Sequence, residues 1–240
     1  MIWRTSLAAT LVLLFASTSP GQAPPGFTMY LIGFLTRPSV APASGASQEL
    51  QKAHLANLNA MWNEGLLLAS GPIADKGDLR GFLIFRGDDR DAVEKRVADD
   101  PLIKARFLEV AIGPWIGPIG IGDEYRKWAA ANPGAPDKMR TYQLVMLKTV
   151  LTARRLTNEE QRAHLLNMDA MAKSGKLAVA GPVLEGSDLA GIFVFTVGAE
   201  EADALAASDP AVKAGKMTVE RHPWMVAEGV LPNGFKVPVQ

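Results

Sequence analysis

The sequence predicts an α+β protein built from two copies of one βαββαβ unit, packed sheet to sheet within a single chain. Three observations carry that expectation: a long internal repeat, a change of hydrophobic period inside each copy, and glycine and proline signals that recur in register. When the 240-residue chain is slid along itself by 110 positions, Gln51–Phe85 falls on Gln161–Phe195 without a gap, and 15 of the 35 positions are identical. His54-Leu55 meets His164-Leu165, Gly65 meets Gly175, and Gly71-Pro72 meets Gly181-Pro182. One residue is then lost, and at an offset of 109 Asp100-Pro101 meets Asp209-Pro210 and Pro114-Trp115 meets Pro223-Trp224. Self-similarity of this extent signals a duplicated structural unit.

The elements follow in order. Thr28–Leu35 and Arg140–Leu147 are apolar, β-prone runs and read as first strands. From Gln48 to Asn63 the apolar residues Leu50, Leu55, Leu58, Met61 and Trp62 fall at helical spacing, repeated by Leu165, Met168 and Met171. Thr157-Asn158-Glu159-Glu160 is a capping box, in which the Thr and Glu side chains satisfy free backbone donors. Gly65 and Gly175 stand where a helix closes in the left-handed conformation. Leu66–Ala69 and Leu177–Ala180 read as short strands ended by Gly-Pro, since proline cannot donate to a ladder. Leu79–Phe85 and Leu189–Phe195 are third strands, and Asp91–Ala98 and Glu200–Ala207 second helices that stop before Asp-Pro. Phe107–Ile112 and Met217–Glu220 complete the ferredoxin-like split unit. Such a sheet carries its helices on one face, so two apolar faces are expected to close on each other. The expected boundaries are residues 1–23 for a leader, 28–116 for the first repeat, 117–138 for a linker with a short helix near Glu124–Ala131, 139–226 for the second repeat and 227–240 for a tail.

Bulk composition narrows the function. Lysine plus arginine and aspartate plus glutamate both number 25, so a basic nucleic-acid surface is not expected. The chain has no cysteine, which excludes disulfides, thiolate catalysis and cysteine metal sites. Arg4 followed by the apolar run Leu7–Ala16 and the small residues of Gly21-Gln22-Ala23 reads as a signal peptide cleaved after Ala23. That run is shorter than the roughly 20 residues a membrane span needs. The expectation is a periplasmic or secreted protein without stable membrane insertion after processing. The expected assembly is a monomer acting as a pseudo-dimer, with a higher oligomer left open.

Only three histidines exist, and two share one repeat position. His54 precedes Leu58 by one turn, as His164 precedes Met168, which places both rings on the inward side of their helix. An imidazole on an apolar face needs a partner, and Asp100 and Asp209 recur as candidates. A carboxylate on one ring nitrogen fixes the tautomer and leaves the other nitrogen free as a general base. The alternative is a helix-to-helix clamp with no chemistry. A metal at either histidine would find few ligands within its own repeat. His222, whose place in the first copy is Gly113, reads as a surface or strand-end residue, and Trp115 and Trp224 read as core plugs.

The succession His-Leu, helix-ending Gly, Gly-Pro, a Gly-led strand and Asp-Pro resembles the YCII-related domain. It is carried by His54-Leu55, Gly65, Gly71-Pro72, Gly81 and Asp100-Pro101, and again by His164-Leu165, Gly175, Gly181-Pro182, Gly191 and Asp209-Pro210. The resemblance implies a ferredoxin-like fold paired into a dimeric α/β barrel, with His54 and Asp100, and His164 and Asp209, at catalytic positions. It departs in being doubled and apparently exported, whereas that family is typically short and cytoplasmic. Ser70 against Ala180 and Asp99 against Ser208 imply that the two pockets differ. The expected activity is cofactor-independent acid–base chemistry of the isomerase or lyase type on a small molecule, with no metal. The other reading is a ligand-binding or stress-associated module whose His/Asp pairs are structural.

Overall fold

The computed structural model describes residues 23–40, 42–185 and 188–239. The expected leader falls on residues 1–23 and so lies, all but Ala23, outside the described residues. The first repeat runs β1 (Phe27–Thr36), α1 (Gln48–Asn63), β2 (Leu67–Pro72), β3 (Leu79–Arg86), α2 (Arg90–Val97), α3 (Pro101–Lys104) and β4 (Glu109–Pro118). A connecting helix α4 (Asp123–Ala131) leads to β5 (Met139–Thr149), α5 (Asn158–Lys173), β6 (Leu177–Pro182), β7 (Leu189–Phe195), α6 (Ala199–Ala207), α7 (Pro210–Lys213) and β8 (Met217–Ala227). Each repeat forms one four-stranded antiparallel sheet, in the orders β2-β3-β1-β4 and β6-β7-β5-β8.

Local chemistry accounts for the helix ends. Ser47 accepts from the Leu50 N–H at the start of α1, and Thr157 and Glu160 form the expected capping box on α5. Gly65 and Gly175 close the two helices at φ of 77° and 71°, where a side chain would be strained.

The inner faces of the two sheets share one core. Ile32, Phe34, Phe82 and Trp115 from the first repeat pack with Leu144, Met146, Ile192 and Trp224 from the second. The outer face of each sheet is covered by its own helices in a separate apolar cluster. Burying both inner faces is the main gain from joining the halves, because each would otherwise expose an apolar sheet to water. Trp115 and Trp224 are fully buried there, and the Trp115 indole N–H donates to the Gly181 carbonyl at 3.0 Å.

The structure corrects one reading of the strands. Gly71-Pro72 and Gly181-Pro182 end β2 and β6 as expected, as the last two paired residues of each. The strands β4 and β8, however, do not stop at Ile112 and Glu220; they continue through Pro-Trp to Pro118 and Ala227. The reason is long-range. The strands β2, β4, β6 and β8 are the edges of their own sheets, and they meet across the two seams that close the barrel. Leu184 N–H donates to Pro114 O and Ala74 N–H to Pro223 O, each at 2.9 Å. At an edge a proline needs no donor, and here its carbonyl joins the seam. A Cβ on Gly71 would stand 1.9 Å from Met225 O, and one on Gly181 1.8 Å from Ile116 O. The repeated glycine therefore permits the close approach of two sheet edges.

The linker and the tail hold one another. Gly122 N–H donates to Val230 O at 2.7 Å and Tyr125 N–H to Gly229 O at 3.1 Å, while Ile121, Val230 and Leu231 enter the shared core. Beyond Leu231 the tail crosses to the second repeat, where Phe235, Val237 and Val239 pack against its helix-covered face.

Candidate functional site

In each repeat the first helix brings its histidine to the aspartate that opens a short third helix. Asp100 and Asp209 do not merely follow α2 and α6; each is the N-cap of α3 or α7, with proline in the first turn. One carboxylate oxygen accepts from the Leu102 N–H at 3.0 Å or the Ala211 N–H at 2.9 Å. Proline is pre-set for a helix start, and the aspartate satisfies a free donor there. The cap fixes the carboxylate, and the histidine meets it. His54 Nδ1 lies 2.7 Å from Asp100 Oδ2, and His164 Nδ1 lies 2.8 Å from both oxygens of Asp209. An ionised carboxylate only accepts, so Nδ1 carries the proton and the neutral ring keeps its lone pair on Nε2.

A third residue completes each constellation, and sequence reasoning missed it. Asn57 Nδ2 donates to Asp100 Oδ2 at 2.9 Å, and Asn167 Nδ2 to Asp209 Oδ2 at 3.2 Å. The signal was available: both asparagines belong to the identical positions and sit three residues after the histidine, on the same helix face. In the first repeat Arg96 donates to Asn57 Oδ1 at 2.7 Å and pairs with Glu64, which orients the amide. Burial opposes ionisation of Asp100. Hydrogen bonds from His54, Asn57 and Leu102 outweigh it and hold the carboxyl below its ordinary value.

The surroundings of the two dyads differ. The His54 side chain is 13% exposed and lines a solvent-connected cleft of about 720 Å³. Leu35, Leu58, Leu83 and Phe107 give that cleft its apolar wall, and Arg37, Ser70 and Arg80 its polar groups. The His164 side chain is 4% exposed and lines a tight space of about 20 Å³. There Ala180 and Ala190 stand where the first repeat has Ser70 and Arg80, and Phe27, Val237 and Pro238 cover the space from outside. Leu55 is 63% exposed at the first cleft, while its counterpart Leu165 is 7% exposed. The helical period placed both histidines on an inward face, yet only Met61 of α1 is fully buried, because the cleft beneath that helix is open.

A salt-bridge clamp shuts the second repeat further. Lys216, in the place of Phe107, is buried and pairs with Glu160, whose carboxyl is held down to about 2 chiefly by that lysine. The backbone N–H of Val150 donates to Lys216 O at 2.9 Å, drawing the β5–α5 connection onto the last strand.

His222 is neither the surface nor the strand-end residue the sequence suggested; it lies within β8. It is buried at the seam between β8 and the first repeat, with Nδ1 2.7 Å from Asp75 and Nε2 3.0 Å from Glu220. Both ring nitrogens are engaged, so it fastens the two halves together. Among the described residues no group of three or more His, Asp or Glu side chains is arranged to hold a metal ion.

Residues 29–116, the first repeat, match the family model of the YCII-related domain. No curated protein matches the chain. Two solved structures are similar to it. One is a "putative monooxygenase" from Lactobacillus acidophilus NCFM, 15% identical, at a TM-score of 0.44 over 87% of this chain and 98% of that one. The other is a "Putative Chlorite dismutase", 8% identical, at a TM-score of 0.49 over 85% of this chain and 95% of that one.

Proposed function

We propose that the protein is a small-molecule enzyme of the isomerase or lyase type that works from one site, the cleft of the first repeat. His54 Nε2 takes a proton from a carbon acid and returns it to another position, or to a departing group. Asp100 holds the ring and stabilises the imidazolium formed in between, and Asn57 holds the aspartate. The observation that carries this reading is the contrast between two chemically equal dyads, one open to a cleft with polar groups and one sealed under apolar side chains. A dyad kept where no substrate has room supports a bracing role for His164 and Asp209. The leader read from Arg4 to Ala23 supports export, which would set the reaction outside the cytoplasm.

Carbon–hydrogen exchange in D2O tests the proposal without knowledge of the product. Wild type is incubated with a panel of ketones, lactones and enones, with and without a carboxylate, and deuterium uptake is followed by NMR. Uptake is expected with wild type and with His164→Asn, and a loss of about a hundredfold or more with His54→Asn. Undiminished uptake with His54→Asn, or none from any panel member with wild type, would overturn the proposal.

A further inference from the structure

We propose that the first-repeat cleft is selective for a small organic carboxylate, gripped by Arg37 and Arg80 with its apolar body against the leucine wall. This names the substrate class of the site assigned above to His54 and rests on that reading.

The two arginines reach the cleft from neighbouring strands. Thr36 at the end of β1 pairs with Leu79 at the start of β3, and Arg37 N–H donates to Asp78 O at 2.8 Å, so residues 37 and 80 flank the same short crossing. Both line the cleft with His54 and Ser70. Among the described residues neither guanidinium has a hydrogen-bond or ion-pair partner. The charge that bears on Arg80 is Asp75, whose carboxylate is itself held by His222 at 2.7 Å and the Gly77 N–H at 2.9 Å. Two guanidiniums that line one cleft with no carboxylate bonded to either leave a positive charge there that an anion would neutralise. The planar fork of arginine suits a carboxylate held by two bonds. The wall of Leu35, Leu58, Leu83 and Phe107 asks for an apolar body on that anion.

The second repeat serves as an internal control. Thr149 and Ala190 stand in the places of Arg37 and Arg80, on the same strand crossing, where Thr149 N–H donates to Asp188 O at 2.7 Å. Two lysines of that repeat are committed elsewhere, Lys216 to Glu160 and Lys148 to Glu220. Both guanidiniums are thus missing from the copy whose dyad is sealed, although the dyad itself is kept. Had Arg37 and Arg80 served the fold, the equivalent crossing would need them too.

Benzoate, phenylacetate and cinnamate, each beside its neutral amide, are the probes. Binding is read from the histidine ring resonances in 1H–13C spectra of the full chain. The carboxylates are expected to shift the His54 resonances saturably and leave His164 unmoved, with the amides about tenfold weaker or worse. The double variant Arg37→Gln with Arg80→Gln should weaken the carboxylates by about tenfold or more and leave the amides unchanged, and Arg37→Lys with Arg80→Lys should recover part of the loss. Arg37 is exposed and Arg80 half-buried, and the folded state is checked by an unchanged spectrum elsewhere. Equal binding of acids and amides, indifference to the double variant, or no response to any carboxylate would overturn the proposal. Arginine-dependent binding without His54-dependent deuterium uptake would leave the anion site standing and remove only the base.

Discussion

At the scale of single residues, the geometry turns on an aspartate with two duties. Asp100 caps α3 through one oxygen and receives His54 and Asn57 through the other. Asp100→Asn keeps an oxygen for the cap but turns an NH2 toward two existing donors. The imidazole then accepts at Nδ1 and carries its proton on Nε2, which removes the free base from the cleft. A loss of about 2 kcal/mol of stability at neutral pH is expected, because a charged hydrogen bond is replaced by a neutral one. The sign of its pH dependence follows from the depressed carboxyl. That contribution is complete above the ordinary value of 3.8 and is lost as pH falls through the lower folded value. Urea unfolding of wild type and Asp100→Asn should therefore differ most near neutrality and converge in acid below 3.8. A gap that widens in acid would contradict this assignment. His54 and Asp100 were legible in the sequence because each recurs in register; Asn57 recurs equally but is chemically quiet, and Arg37 and Arg80 do not recur at all.

At the scale of elements, the tail is the part that sets the two sites apart. Phe235 meets Phe27 edge to face at 6.0 Å, and Val237 and Pro238 close the space beside His164. Removing residues 232–240 should uncover that space. It should also cost about 3 kcal/mol, the order expected for exposing one or two buried apolar side chains with the wall they cover. Truncated protein should melt lower, bind an apolar dye and show shifted His164 ring resonances with His54 unmoved. Unchanged melting and unchanged His164 resonances would contradict the plug. Helix and strand order were readable from hydrophobic period and capping residues, and α1 lies on the predicted span Gln48–Asn63. The path of the tail was not readable, since its few apolar residues follow no period and their destination depends on where the second repeat stands. Gly-Pro was readable as a stop, but the need for its glycine was not: only the approach of a strand from the other half explains it.

At the scale of the whole molecule, duplication within one chain frees the copies to differ. In a symmetric dimer of identical chains any change to one pocket is a change to both. Here the shared barrel core and both seams stay nearly symmetric, while the clefts outside them diverge into an open polar site and a closed apolar one. The barrel was legible from the repeat, because two sheets with one apolar face each have few other ways to bury them; the divergence of the clefts was hinted only by Ser70 against Ala180 and Asp99 against Ser208. The claim that a single dyad is available to chemistry is tested most directly by carbethoxylation with diethyl pyrocarbonate, whose carbonyl is attacked by a free imidazole lone pair, followed by peptide mass analysis. His54 is expected to be modified first, with His164 and His222 protected until the protein unfolds. Modification of His164 as fast as His54 in the native protein would contradict the one-site account.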